Sequence, residues 1–307
     1  MNFALQRSTA VVALVWLVGT WNQAGAAPDG KPAPGGRLAL SLRRLVQEPG
    51  ASNQWKVVEE RVMWEPARTA VVVCDMWDRH WCQGASVRVA EMAPRMNQVL
   101  AFLRDQGVLI IHSPSDTMGF YENHPGRQLA RNAPKVDLEA QQRAWAGRVR
   151  QEDPPHPIDS SDGGCDCQPQ CQTPPMPPYP WQREISTLEI KADDAIAAGA
   201  EPYFIMRQRG ITNVILLGVH ENMCVLNRPF GIRQLVRLGQ NVALIRDLTD
   251  TMYNSRRRPQ VDHFTGNDLM TWHIEKYWCP TLTSDQFLGG NPFHFAADTK
   301  PPRAFQN

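Results

Sequence analysis

Four short apolar runs, separated by stretches of helical period, limit what this chain can fold into more than any other feature. They are TAVVVC (69–74), VLIIHS (108–113), NVILLGV (213–219) and NVALIRDL (241–248). Each is rich in β-branched residues without polar alternation, as expected of a strand covered on both faces. Between the first two, Val89, Met92, Met96, Leu100 and Leu103 share one helical face and Gly107 marks the stop. AEPYFIMRQRG, RPFGIRQLVRLGQ and VDHFTGNDLMTWHIEKYW read as further helices. Strands alternating with helices predict an α/β class: a three-layer, doubly wound, mostly parallel sheet. RLALSLRRLV and QWKVVEERVMW alternate apolar with polar and predict an antiparallel N-terminal β extension. ISTLEIK (185–191) reads as one more strand of the sheet.

The ends of the chain follow a different logic. Arg7, the run TAVVALVWLVGTW and then AGAA make residues 1–27 a secretory signal, with an apolar run too short to span a membrane. Residues 28–36 are a Pro/Gly-rich leader, 37–290 a single domain, and 291–307 a loose tail. A Cys/Pro-rich insertion occupies about 146–182. The mature protein is therefore expected in the periplasm or secreted, with no membrane span. Removing the signal takes away Arg7 and no acid, leaving 31 basic side chains against 31 acidic ones. Such a balance supplies no field for nucleic acid, and the single basic cluster, SRRRP (255–259), reads as a solvated loop.

In a parallel sheet, reactive groups collect at the carboxyl edge of the strands. Asp75 ends the first core strand, Lys191 ends ISTLEIK, and Cys224 follows NVILLGV. A thiol becomes a good nucleophile when a cation lowers its pKa, and a carboxylate can take its proton and later return it. Taken singly, each residue has a bland reading as cap, solvated side chain or packing; together on one rim they form a chemically complete set.

The order of these residues, with GVHENMCV as its most specific segment, resembles the isochorismatase-like cysteine hydrolases, over roughly residues 66–255. That family includes nicotinamidases and N-carbamoylsarcosine amidohydrolases. The resemblance implies a Rossmann-like hydrolase fold, with Cys224 as nucleophile, Asp75 as general base and then acid, and Lys191 as third member of the triad. It further implies a cis peptide at Val219–His220 and an oxyanion hole made by the backbone N–H groups of His220 and Cys224. The reaction implied is cleavage of an amide or carbamoyl C–N bond in a small molecule through a thioester. Assembly into a homo-oligomer is implied as well. The alternative is a catalytically silent ligand-binding protein on the same fold. A thiol-redox pairing of Cys224 with Cys82 is the third reading.

Several residues depart from the family pattern. Trp77, Asp78, His80 and Trp81, in MWDRHWC, either form a stacking wall with polar handles for substrate or pack beneath a loop. Glu221 and Asn222 flank the nucleophile and are candidate specificity residues. The chemistry requires no cofactor. The metal that nicotinamidases carry has candidate ligands in Asp116, His124 and His112, without the usual Asp-x-His spacing, and His112 reads equally as a core histidine. Pro229 predicts that the helix after Cys224 starts late. Cys165, Cys167 and Cys171, in an exported setting, favour a disulfide within the insertion or to Cys279 over a zinc site. Cys74 reads as inert, and Cys82 has no evident role.

Overall fold

The computed structural model describes residues 36–50, 54–149, 152–172 and 177–305. The signal segment and nearly all of the leader lie outside the described residues. Eight strands form one sheet: β1 (Leu38–Gln47), β2 (Trp55–Trp64), β3 (Thr69–Cys74), β4 (Leu109–Ser113), β5 (Ala195–Ile196), β6 (Asn213–Val219), β7 (Asn241–Asp250) and β8 (Thr281–Leu282). Their spatial order is β2-β1-β8-β7-β6-β3-β4-β5. From β8 through β5 every pairing is parallel, and β1 joins antiparallel to both β8 and β2. The expected N-terminal β extension is thus an antiparallel edge on a parallel sheet.

Helices cover both faces, giving three layers. On one face α1 (Gln83–Asp105) packs Val89, Met92, Met96, Leu100 and Leu103 against Val71 and Val73 of β3, joined by Phe287 from α6 (Asp285–Leu288). Burying each of those large side chains stabilises the fold by roughly 1.5–3 kcal/mol. On the other face lie α2 (Pro125–Arg131), α3 (Glu201–Gln208), α4 (Ile232–Arg237) and α5 (His263–Tyr277). They pack Ala130, Ile205, Leu235 and Ile274 against Ala70 and Val72.

Two elements differ from expectation. ISTLEIK is not a strand: Leu188 N–H donates to the Ile185 carbonyl in a turn, and the Asp194 carboxylate accepts from Lys191 N–H at 2.7 Å. Local side-chain hydrogen bonding of this kind competes with a ladder. The edge strand is instead β5, beginning four residues after Lys191. Residues 291–305 are docked rather than loose. Phe293 and Phe295 pack on the α1 side of the sheet, and Arg303 pairs with Asp298 and Asp268.

From β3 the chain winds outward through β4 to β5, then returns to β6 and winds the other way through β7 to β8. The reversal falls between β3 and β6, where both following loops leave the carboxyl edge and open a crevice. These strands run in register to Cys74 opposite Gly218. Gly218 has φ +106°, and a Cβ there would lie 2.1 Å from the Cys74 carbonyl oxygen, so only glycine fits.

Candidate functional site

Asp75 is the first residue after β3 and Cys224 lies in the turn after β6, so the switch point brings them together. Asp75 is wholly buried and has φ 48°. Its Oδ1 accepts from Ser115 N–H at 2.7 Å and its Oδ2 accepts from Arg228 Nε at 3.1 Å. The Cys224 thiol is close enough for it and the Asp75 carboxyl to shift each other's pKa. Burial raises the Asp75 pKa above the usual carboxylate range, against the opposing pull of Arg228, Cys224 and Ser115. Cys224 is itself only 8 % exposed. Burial and the Asp75 charge push its thiol well up, and Arg228 alone among its charged neighbours favours the thiolate.

The chain holds Cys224 on a π-helical turn, Glu221–Val225, in which Met223 and Val225 N–H both donate to the His220 carbonyl. The Val219–His220 peptide preceding it is cis. Pro229 has the effect expected of it: α4 begins only at Ile232, after a turn closed by Gly231 N–H to the Arg228 carbonyl. That break leaves Arg228 four residues past the thiol, with its guanidinium on Asp75 and on Asp116 (3.3 Å).

Lys191 is not part of this group. It is solvent-exposed, pairs with Glu189, and precedes β5 instead of following it. The carboxyl end of β5 continues as Ala197, Ala198 and Gly199, and the cation at that rim, Arg127, is already paired with Glu201. Arg228 supplies the positive charge. Its spacing of four from Cys224 is the signal that sequence reading overlooked, since residues i and i+4 face the same way in helical turns.

The three candidate metal ligands do not share a site. His112 is a buried core histidine, with Nδ1 2.6 Å from Glu184 and Nε2 3.4 Å from Asp194. Burial would lower its pKa, but the two carboxylates win and raise it to about 9, while Asp194 falls to about 2. His112 is thus an imidazolium clasped by two acids, unsuited to coordination. The His124 ring accepts from Gly126 N–H and caps α2. Asp116 is half-exposed on Arg228.

Around the thiol, aromatic rings stack in a ladder. Trp77 and Trp181 centroids lie 4.3 Å apart at 9°, and Tyr179 stacks on Trp181 at 4.4 Å. Trp77 Nε1 donates to the Ser115 carbonyl, whereas the buried Trp181 Nε1 has no partner. Asp78 faces the insertion instead of a substrate, its Oδ1 accepting from Gln182 and Arg183 N–H. His80 stacks on Trp181 at 5.6 Å and meets the His220 ring edge-on at 4.8 Å. Burial and then Arg88 lower His80 to about 4, and burial likewise holds His220 well down, so both rings are neutral. Trp81 leans on His80 and on the small apolar cluster beside Cys82.

Glu221 and Asn222 hold the turn through structural contacts. Glu221 is fully buried against α5, accepting from Thr271 Oγ1 at 2.7 Å, and burial keeps its carboxyl protonated. Asn222 clamps the Met252 backbone, its Nδ2 donating to the carbonyl and its Oδ1 accepting from N–H. Neither side chain has spare polar capacity directed at a ligand, apart from the buried Glu221 Oε2.

Among the described residues two other groups have metal-ligand composition: Cys82, Cys165 and Cys167, and Asp153, His156 and His273. In the second, Arg233 already pairs with Asp153 and approaches His156 Nε2 at 3.4 Å, so a cation is in place. All seven cysteines are unpaired. Cys279 lies in the core beneath α5, away from the cluster that holds Cys165, which removes it as a disulfide partner of the insertion. Cys82 faces Cys165 and Cys167, so the pairing of Cys82 with Cys224 has no support either.

No family model matches the chain, and no curated protein does. Solved structures of similar chain path exist. A cysteine hydrolase from Pseudomonas syringae pv. phaseolicola 1448A is 17 % identical, with 72 % of this chain and 91 % of that one covered at a TM-score of 0.45. An isochorismatase from Pseudomonas putida KT2440 is 11 % identical, covering 72 % and 90 % at 0.43. An N-carbamoylsarcosine amidase from Thermoplasma acidophilum is 15 % identical, covering 71 % and 97 % at 0.37.

Proposed function

We propose that this protein is a hydrolase that cleaves a C–N bond of a small amide or carbamoyl compound, with Cys224 as nucleophile. The observation that carries the reading is the pairing of buried Asp75 with Arg228, whose charges both act on the buried Cys224 thiol. Asp75 takes the thiol proton, and Arg228 stabilises the resulting thiolate and fixes the carboxyl. The sulfur attacks the carbonyl carbon, and the negative charge passes to oxygen, facing the backbone N–H groups of His220 and Cys224. Asp75 returns the proton to the departing nitrogen as the C–N bond breaks, leaving a thioester. Water, deprotonated by Asp75, then attacks; the C–S bond breaks and the thiol regains its proton. The signal-like pattern at 1–27 supports an exported setting, and no helix of the described residues is long and apolar enough to cross a membrane.

One observation favours the ligand-binding alternative: the thiol is nearly closed off. Hollows of about 550 and 580 Å³ lie beside β1 and beside the C-terminal segment, and Cys224 lines neither. The deciding experiment is ammonia release from a panel of amides, N-carbamoyl compounds and ureido acids, with Cys224→Ala as control. Release that requires Cys224 supports the hydrolase. No release, with Cys224 no faster toward iodoacetamide than a free thiol, overturns it in favour of binding. Mass spectrometry of the exported product checks cleavage near residue 27.

A further inference from the structure

The Sγ atoms of Cys82, Cys165 and Cys167 all lie within 4.8 Å of one another, and those of Cys82 and Cys167 are 3.8 Å apart. A tetrahedral zinc ion with Zn–S bonds of about 2.3 Å holds its sulfurs about 3.8 Å apart. Two backbone amides point at the cluster: Gly84 N–H donates to Cys167 Sγ at 3.2 Å and Cys171 N–H to Cys165 Sγ at 3.4 Å. Such donors favour thiolate over thiol. Cys82 also stands at the N-cap of α1, a 23-residue helix whose positive end lies beside the sulfurs.

The insertion presents its two cysteines on a braced loop. Asp162 accepts from Gly164 N–H and from Asn254 Nδ2, and Asp166 accepts from both Ser255 N–H and its hydroxyl. Gly164, at φ +74°, passes so near the Met252 carbonyl that a Cβ would lie 2.3 Å from its oxygen. Partly buried Cys171 packs against the same cluster.

We propose that Cys82, Cys165 and Cys167 form a structural zinc site that staples the insertion to the N-terminus of α1, beside the Asp75–Cys224 site. Each thiol gives up its proton as its S–Zn bond forms, so binding releases three protons and involves no oxidation. The site stands on the sulfur geometry alone and is independent of the hydrolase reading.

The test uses the full chain, reduced and stripped of metal, titrated with Co²⁺ as a spectroscopic stand-in. The expected result is a thiolate-to-cobalt charge-transfer band with visible bands of a tetrahedral ion, saturating at one ion per chain and displaced by Zn²⁺. Cys82→Ser and Cys167→Ser remove the charge-transfer band, and Cys224→Ser leaves it unchanged. Absence of the band from the unsubstituted chain overturns the proposal. So does peptide mapping that finds a disulfide between any two of the three cysteines in protein isolated without reductant and with free thiols blocked.

Discussion

Arg228 Nε stands 3.1 Å from Asp75 Oδ2, and the charges of both side chains act on the Cys224 thiol, Asp75 raising its pKa and Arg228 lowering it. The Asp75 carboxyl is fully buried and the guanidinium is about one-fifth exposed, so water screens the pair weakly. Arg228→Ala leaves a buried carboxylate without its cation, which costs up to about 3–5 kcal/mol. The variant is expected to melt lower and to lose at least about a hundredfold in kcat/KM, with slower alkylation of Cys224. Arg228→Lys keeps the charge, loses the fixed planar fork, and recovers part of the loss. The acid limb of kcat/KM reports Asp75, which must be ionised to act. It should fall above the ordinary aspartate value of about 3.9 and move higher still in Arg228→Ala.

The His112 clasp gives a pH signature independent of any reaction. The folded pKa of about 9 exceeds the unfolded value of about 6.5. The native state therefore keeps a proton that the unfolded chain releases between those values. Stability from this group is complete below about pH 6.5 and is lost as pH rises toward 9. Urea unfolding across that interval should show the decline, and His112→Gln should flatten it while lowering stability at pH 6.

Glu221 makes a contrasting case, because its carboxyl is protonated when folded. Its folded pKa lies above the unfolded one, so its contribution is present below about pH 4.3 and falls as pH rises. Glu221→Gln keeps the shape and the contact with Thr271 while removing the proton linkage. The variant should melt higher than the parent at pH 7 and match it near pH 4. A melting series at the two pH values checks this.

Trp181 stacks between Trp77 and Tyr179, and each such contact stabilises by about 0.5–1.5 kcal/mol beyond its area. Trp181→Ala should open the crevice and speed alkylation of Cys224. If the ring is also the substrate wall, KM rises more than kcat falls. Steady-state kinetics on any substrate from the amide panel reads that split.

How far the residues alone could lead is clear from particular cases. TAVVVC and NVILLGV are unambiguous strands because they are buried on both faces, so the sheet and the meeting of Asp75 with Cys224 follow from pattern and topology. ISTLEIK has a strand-like composition, but Asp194 captures the Lys191 amide and turns the chain before β5. Whether an alternating segment extends or turns depends on such a neighbour, which periodicity does not report. Composition therefore places Lys191 at a rim it does not reach, and the break at Pro229 hides the helical spacing of Arg228 from Cys224. Trp181 and Tyr179 come from the insertion, whose path depends on contacts such as Asp78 with Gln182 and Asp153 with Arg233. Contacts between distant, irregular segments leave no period to read.

Because Arg228 belongs to the same short stretch as Cys224, thiol and cation are carried on one segment. The long connection from Pro114 to Asp194 carries no member of the Asp75–Cys224–Arg228 trio. Its first residues nevertheless touch the trio, through Ser115 N–H on Asp75 and Asp116 on Arg228. Grafting 219–228 onto another sheet of this topology would transfer the charge pairing with the thiol, needing only an acid at the neighbouring strand end. The thiol and its cation are in that sense one portable segment.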